Sequence, residues 1–295
     1  MEMDGGNNAD MTSPQTLLRA WDIHPSRQMG QNFLVDPSTA RMIITRAAIQ
    51  AEDTILEIGA GLGALTIPAA RAAARVIAVE KDRRLAGLLK TELLAQALEN
   101  VDLIEADIMD IDIGRFSVPG KLTVIGNLPY NISSQILVML IRSRRFVSRA
   151  ILMFQKELCR RLMSLPGSRD YGRITVMLRS CAEVSTLAEV KAGCFHPRPK
   201  IDSEVLEIRF DEKPRHEDIA EDDLFLVIKS AFAKRRKTLK NALSTSWLDI
   251  DSHTALHMLE KADIAPQRRA ETLSVKEFFR LTRVYQELRR EYPSA

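Results

Sequence analysis

Gly126-Asn127-Leu128-Pro129-Tyr130-Asn131-Ile132 follows the apolar run 122–125 and precedes a helical pattern over 134–141. A buried strand that ends in a turn and feeds a helix predicts that this heptad lies at the carboxyl edge of an open α/β sheet, the edge at which such sheets bind ligands. Its side chains suit a flat base with an exocyclic amine. Asn127 offers an amide oxygen as acceptor, the carbonyl of Leu128 ahead of Pro129 offers a second, and Tyr130 has a face on which a base can stack. Read in isolation, the same residues are a turn in which Asn and Pro punctuate a strand-to-helix junction. The flanking segments decide between the two.

Upstream, 54–58 reads as a short apolar strand, and Gly59-Ala60-Gly61-Leu62-Gly63 turns directly into a helical run over 64–73. Glycines at such a turn let the backbone come close to a ligand. The next strand, 75–79, ends in Glu80, 21 residues beyond Gly59, where an acid can accept hydrogen bonds from both hydroxyls of a ribose. NAD and S-adenosyl-L-methionine both satisfy these features; the Gly-x-Gly-x-Gly spacing inclines the reading to the second. After an amphipathic helix over 85–98, strand 101–106 ends in Asp107, either a cap or an acceptor for the adenine amino group of a cofactor. Four strand tips thus carry Gly59, Glu80, Asp107 and Asn127, and their coincidence says more than any one alone.

Ahead of this unit, Gln28-Met29-Gly30-Gln31-Asn32-Phe33-Leu34 is a polar, glycine-bearing loop before a helix over 38–48 that Pro37 opens. The loop is either a surface connection or a segment that closes over a ligand. Beyond the heptad, 150–154 predicts a fifth strand leading into a helix that ends at Met163. The stretch 164–171 reads as a mobile loop, 175–178 and 182–190 as further sheet elements, and 204–210 as the last strand. Pro197 and Pro199 hold 195–203 extended, with Phe195 at its head. From 211 onward the pattern is of charge-rich helices, over 224–233, 237–246, 252–262 and 274–290. Five of the seven residues of 234–240 are cationic, namely Lys234, Arg235, Arg236, Lys237 and Lys240, and none is acidic. Solvated helix faces usually mix signs, so this run is a candidate phosphate-contacting patch. His253 and His257 are four apart on a predicted helix but lack further ligands, and no metal is expected.

Length and composition agree with this division. A chain of 295 residues, 45% hydrophobic and 27% charged, is globular and long enough for two domains, expected at 16–210 and 211–295 behind a disordered tail over 1–15. A net charge of +3 permits an anionic partner without requiring one. Cys159, Cys181 and Cys194 lack paired spacing and read as reduced core thiols. The N-terminus has no basic-then-apolar order, and no apolar run approaches the roughly 20 residues needed to span a bilayer. A cytoplasmic protein with no membrane association is expected.

Taken together, residues 30–34, 57–63, 127–133, 195–203, 231–239 and 269–274 resemble the ribosomal RNA adenine dimethyltransferase family, in particular its small-subunit branch. The likeness runs from about residue 28 to the last helix. It implies an α/β fold, a Rossmann-like class I methyltransferase domain, followed by a small all-α domain that helps grip RNA. It implies S-adenosyl-L-methionine as cofactor, with contacts from Asn32, Leu34, Gly59, Glu80, Asp107 and Asn127. The target base would meet Asn127, Leu128, Pro129, Tyr130 and a second stacking face, Phe195. The implied reaction is N6,N6-dimethylation of two adjacent adenosines in the 3′-terminal hairpin of 16S rRNA. The implied partner is small-subunit ribosomal RNA or the pre-30S particle, acted on by a monomer. Two alternatives share the scaffold: a large-subunit methylase of the antibiotic-resistance type, and a non-catalytic ribosome-assembly or transcription factor.

Overall fold

The computed structural model describes residues 14–23, 25, 30–116 and 120–291. The expected tail, 1–15, lies outside them except for its last two residues, which begin helix α1 (Pro14–Ala20). Of the loop at 28–34, the first two residues also lie outside.

In chain order, β1 (Phe33–Leu34) and α2 (Pro37–Arg46) precede the first long strand, β2 (Thr54–Ile58), which is followed by α3 (Thr66–Ala72). Next come β3 (Arg75–Glu80), α4 (Arg83–Ala95), β4 (Val101–Glu105), β5 (Leu122–Asn127), α5 (Ser133–Arg142) and β6 (Val147–Gln155). Asp36 and Asp82 start α2 and α4 by accepting hydrogen bonds from backbone N–H groups of the first turn, which would otherwise have no partner. Then follow α6 (Lys156–Met163), α7 (Arg173–Arg179), β7 (Ala182–Val190), β8 (Phe195–His196) and β9 (Ser203–Phe210). Four further helices complete the chain: α8 (Glu221–Ala231), α9 (Leu239–Leu243), α10 (Ser252–Lys261) and α11 (Val275–Glu291).

Seven strands form one sheet in the order β4-β3-β2-β5-β6-β9-β7, and β1 pairs separately with β8. Strands β4 to β6 are mutually parallel, whereas β9 runs antiparallel to β6. Chain order reverses between β2 and β5, the switch point at which a doubly wound sheet opens a crevice. Both strands are nearly wholly buried, as parallel strands covered on both faces must be. One face contributes Ile55, Val76, Ala78, Ile125, Ile151, Met153 and Val205 to a core that also takes Ile43, Ile44, Ile67 and Ala70 from α2 and α3. At the opposite edge from the crevice Arg149 donates to the carbonyls of Ala47 and Ala48 at 2.7 and 3.1 Å and pairs with Asp53 and Glu207. It thereby ties the end of α2 to β6 and β9.

The chain divides into two compact units, 1–156 with 185–210, and 157–184 with 211–295. The sequence predicts a first domain continuous over 16–210 and a sheet element at 175–178, whereas 157–184 groups with the helical unit. Residues 175–178 are instead in α7, where Thr175, Val176, Met177 and Leu178 are all buried. A short apolar, β-branched run has no periodicity that separates a strand from a helix buried all round. Within the second unit α7 packs on α8, Thr175 donates to the Arg161 carbonyl at 2.7 Å, and Arg215 donates to the Arg179 carbonyl at 3.0 Å. Cys159 and Cys181 are buried and Cys194 partly so, all as free thiols.

Candidate active site and nucleic-acid interface

Strand register brings the four tips to one level. Ile58 pairs with Val79, so Gly59 stands beside Glu80; Glu57 pairs with Ile125, so Gly59 also stands beside Asn127. Glu80 pairs with Glu105, two residues short of Asp107. Glycine is required where these strands meet. A Cβ at Gly126 would lie 2.8 Å from the Ile58 carbonyl oxygen, inside contact distance. Gly59 has φ +74, and the one atom near a Cβ there would be Pro129 Cδ at 4.0 Å, so a side chain would project into the space the turn leaves open.

That space is a cavity of about 460 Å³ within the first unit, a volume suited to a nucleoside-sized ligand. Asn32, Gly59, Glu80, Asp107, Asn127, Leu128, Pro129 and Tyr130 all line it. Val79, Leu85, Ile108 and Met109 supply apolar wall. The sequence reading missed Gln31, Lys81, Met109 and Gln135, which also line the cavity; Lys81 and Met109 were recoverable from their adjacency to Glu80 and Asp107. Two expected residues are elsewhere. Phe195 is 3% exposed, in the core and opposite Leu34 in the β1–β8 pair. Its ring is therefore not presented to the cavity. Leu34 is 2% exposed and lines a neighbouring hollow of about 30 Å³ with Glu57, Gly59 and Asn127.

The polar groups of the cavity are individually held. Asn127 Nδ2 donates to the Asn32 carbonyl at 2.8 Å, which commits the amide nitrogen and leaves Oδ1 as the end able to accept from a ligand. The Tyr130 hydroxyl lies 3.1 Å from Ser203 Oγ, fixing the ring, and burial raises its pKa. Glu80 accepts from the backbone N–H of Gly61 and of Asp82, both at 2.8 Å. Burial pushes the Glu80 pKa up against those two bonds. Each carboxylate oxygen has a second lone-pair direction, so the acid can hold the glycine turn and still accept from a ligand hydroxyl. Asp107 accepts from Lys81 Nζ at 2.6 Å and from the Met109 N–H at 2.9 Å, and the Lys81 bond is the main reason its pKa is lowered. It is thus a cap of the short turn at Ile108–Asp110 and a cavity residue at once. Beside the site, Glu57 is fully buried with an unpartnered Oε2, and burial, with the Glu80 charge adding to it, raises its pKa to about 8 against the opposing Thr66 hydroxyl.

In the second unit the cationic run forms the turn between α8 and α9, with Lys234, Arg235, Arg236 and Lys237 exposed and Lys240 partly so. Arg235 donates to the Arg169 carbonyl. The loop at 164–171, read as mobile, is also tied by the Gly167 N–H to the Glu271 carbonyl at 2.7 Å. His253 and His257 are exposed on α10, and among the described residues no group of three or more His, Cys, Asp or Glu is placed to hold a metal ion. Nor is any helix of the described residues long and apolar enough to cross a membrane.

A sheet that opens at its switch point onto an acid-lined, glycine-turned cavity is shared by many enzymes, and comparison with known proteins narrows it. The family model described as Ribosomal RNA adenine dimethylase matches residues 24–287. The chain belongs to the ribosomal RNA adenine dimethylase family. The chain is similar to Ribosomal RNA small subunit methyltransferase A of Desulforapulum autotrophicum, 51% identical over 92% of this chain and 96% of that one. The protein of the same name from Syntrophus aciditrophicus is 39% identical over 91% and 96%. Among solved structures, a dimethyladenosine transferase from Plasmodium falciparum superposes with a TM-score of 0.71 at 26% identity, covering 83% of this chain and 94% of that one. The 23S rRNA methyltransferase ErmE gives 0.64 at 24% identity, over 86% and 99%, a likeness of fold. The chain is therefore an enzyme of the rRNA adenine dimethylase family with a Rossmann-like domain, and neither the large-subunit nor the non-catalytic alternative is favoured.

Proposed function

We propose that this chain transfers methyl groups from S-adenosyl-L-methionine to N6 of two adjacent adenosines in the 3′-terminal hairpin of 16S rRNA, making each dimethyl. It would do so in the cytoplasm, as a monomer acting on the pre-30S particle. The observation that carries the reading is the orientation of Asn127: with its amide nitrogen bonded to the Asn32 carbonyl, its oxygen is left to accept from the target amine. The residues present suit the cofactor. Glu80 would take the ribose hydroxyls, Asp107 the adenine amino group, and Gly59 and Gly61 would let the backbone approach the methionine part, with Asn32 beside them. When bound, S-adenosyl-L-methionine supplies a methyl group on a sulfonium that is already a good leaving group.

The chain's own task is alignment. Asn127 Oδ1 and the Leu128 carbonyl accept the two N–H groups of an extruded adenine, drawing the nitrogen lone pair out of conjugation with the ring. Tyr130, held by Ser203, stacks on the base. No residue of the cavity is assigned as a general base, since the proton of the product ammonium can pass to water. The cations at 234–240 would hold rRNA phosphates. Leu34 and Phe195 would serve from behind the cavity, as packing partners of each other across the β1–β8 pair. Incubation with labelled cofactor and separated ribosomal subunits, followed by mapping of the modified nucleosides, tests the reading. Dimethyladenosine at two neighbouring positions of small-subunit rRNA is the expected result; label in large-subunit rRNA or none at all would refute it.

A further inference from the structure

Trp247 is one of two tryptophans in the chain, and it is 56% exposed. Lys229 places its ammonium 4.0 Å from the centroid of the ring. A singly exposed aromatic is ordinary; its position is what distinguishes this one. Lys229 lies in the last turn of α8, the cationic turn 234–238 follows, α9 packs back on α8, and the chain then returns Trp247 to Lys229. A five-residue helix rises about 7.5 Å, so the ring and the cationic turn stand within reach of a few nucleotides on the same helical hairpin. From Lys229 to Trp247 the chain carries no acid, the exposed Asp249 and Asp251 coming only after the ring, and the ring adds what the cationic run lacks, a flat apolar face.

We propose that Trp247, backed by Lys229, is a stacking platform for an unpaired base of ribosomal RNA whose neighbouring phosphates are held by 234–240. The inference rests on the RNA-binding reading above. Proteins that grip unpaired nucleic acid combine a cationic track with aromatic faces in this way, because every base has a π-face while phosphates carry the charge. The two parts are separable by experiment. Charge neutralisation alters the dependence of affinity on salt, whereas loss of a stack lowers affinity and leaves that dependence alone.

In a Trp21→Phe background Trp247 is the only tryptophan, and its fluorescence can be followed during titration with protein-free 16S rRNA. Saturable quenching with the midpoint of RNA binding is expected. Trp247→Ala should weaken RNA affinity roughly five- to a hundredfold, the range for one lost base–aromatic stack, with an unchanged salt slope and an unchanged thermal midpoint; Trp247→Phe should retain most of the affinity. Unperturbed fluorescence at RNA saturation, or equal affinity for the Ala variant, overturns the proposal. So does a loss confined to intact pre-30S particles, which would make the platform a protein contact. If the parent chain binds no rRNA, the RNA-binding reading itself falls, an outcome distinct from failure at Trp247 alone.

Discussion

Asn127 is a residue whose role depends on which end of its amide faces the cavity, and a hydrogen bond from another loop decides it. With Nδ2 on the Asn32 carbonyl, Asn127→Ala should nearly abolish methyl transfer. In the proposed pocket Tyr130 would stack on the base without touching the amine, so its stack should serve both transfers. A weakened variant such as Tyr130→Leu is expected to release N6-monomethyladenosine that the parent enzyme carries on to the dimethyl form; mass spectrometry of digested rRNA reads the ratio. Glu80 is buried and accepts two backbone N–H groups. Glu80→Ala should lower affinity for S-adenosylhomocysteine by roughly ten- to a hundredfold, the loss of a charge-assisted hydrogen bond of about 1.5–3 kcal/mol. Calorimetry measures it, and an unchanged affinity would remove the ribose from this acid.

At the scale of elements, the start of α11 shows how a single cap joins a helix to the turn before it. Ser274 N–H and Oγ donate to Glu277 Oε2 at 2.8 and 2.9 Å, and Glu277 N–H returns a bond to Ser274 Oγ at 3.3 Å. This is a capping box, and Arg268 completes it by pairing with the same carboxylate. Burial works to raise the Glu277 pKa, yet Arg268 and Ser274 together bring it down to about 2 from 4.5. A folded value below the ordinary one means that the carboxylate stabilises the fold above about 4.5 and that this contribution is lost as pH falls through about 2. Glu277→Ala is expected to cost on the order of 0.5–2 kcal/mol, as loss of a cap does, which amounts to a melting-temperature decrease of a few degrees at pH 7. The gap between variant and parent should narrow as pH is lowered from 4.5 towards 2. A gap that is constant with pH would mean that the charge of Glu277 contributes nothing.

At the scale of the whole molecule, the cavity is lined from the first compact unit and the cationic turn belongs to the second, so the proposed methyl transfer and the proposed RNA grip would draw on different units. Arg235→Gln with Arg236→Gln should lower rRNA affinity and flatten its salt dependence by roughly one unit of slope per lost phosphate contact, while affinity for S-adenosylhomocysteine stays the same. Because Arg235 also holds the Arg169 carbonyl, Arg236→Gln alone separates the electrostatic effect from any loosening of the loop at 164–171. A salt slope equal to the parent's in both variants would reduce the run to a solvated turn.

The sequence by itself determined the parallel strands, the glycine turn, the acids at the strand tips and the helical C-terminal unit, because each is written in local chemistry: apolar runs of strand length, glycines where φ must be positive, charge of one sign. Tertiary structure decided what depends on partners distant in the chain. The helix at Arg173–Arg179 has the same apolar, β-branched letters as a strand, and its buried run Thr175–Leu178 belongs to a helix packed on α8. Its segment, 157–184, falls into the helical unit for the same reason. Phe195 has no local mark separating a stacking face from a core ring; pairing of β8 with β1 turns it inward. The orientation of Asn127 is set by Asn32, 95 residues away, a contact that no spacing along the chain encodes, since only the folded sheet brings the two loops to one edge.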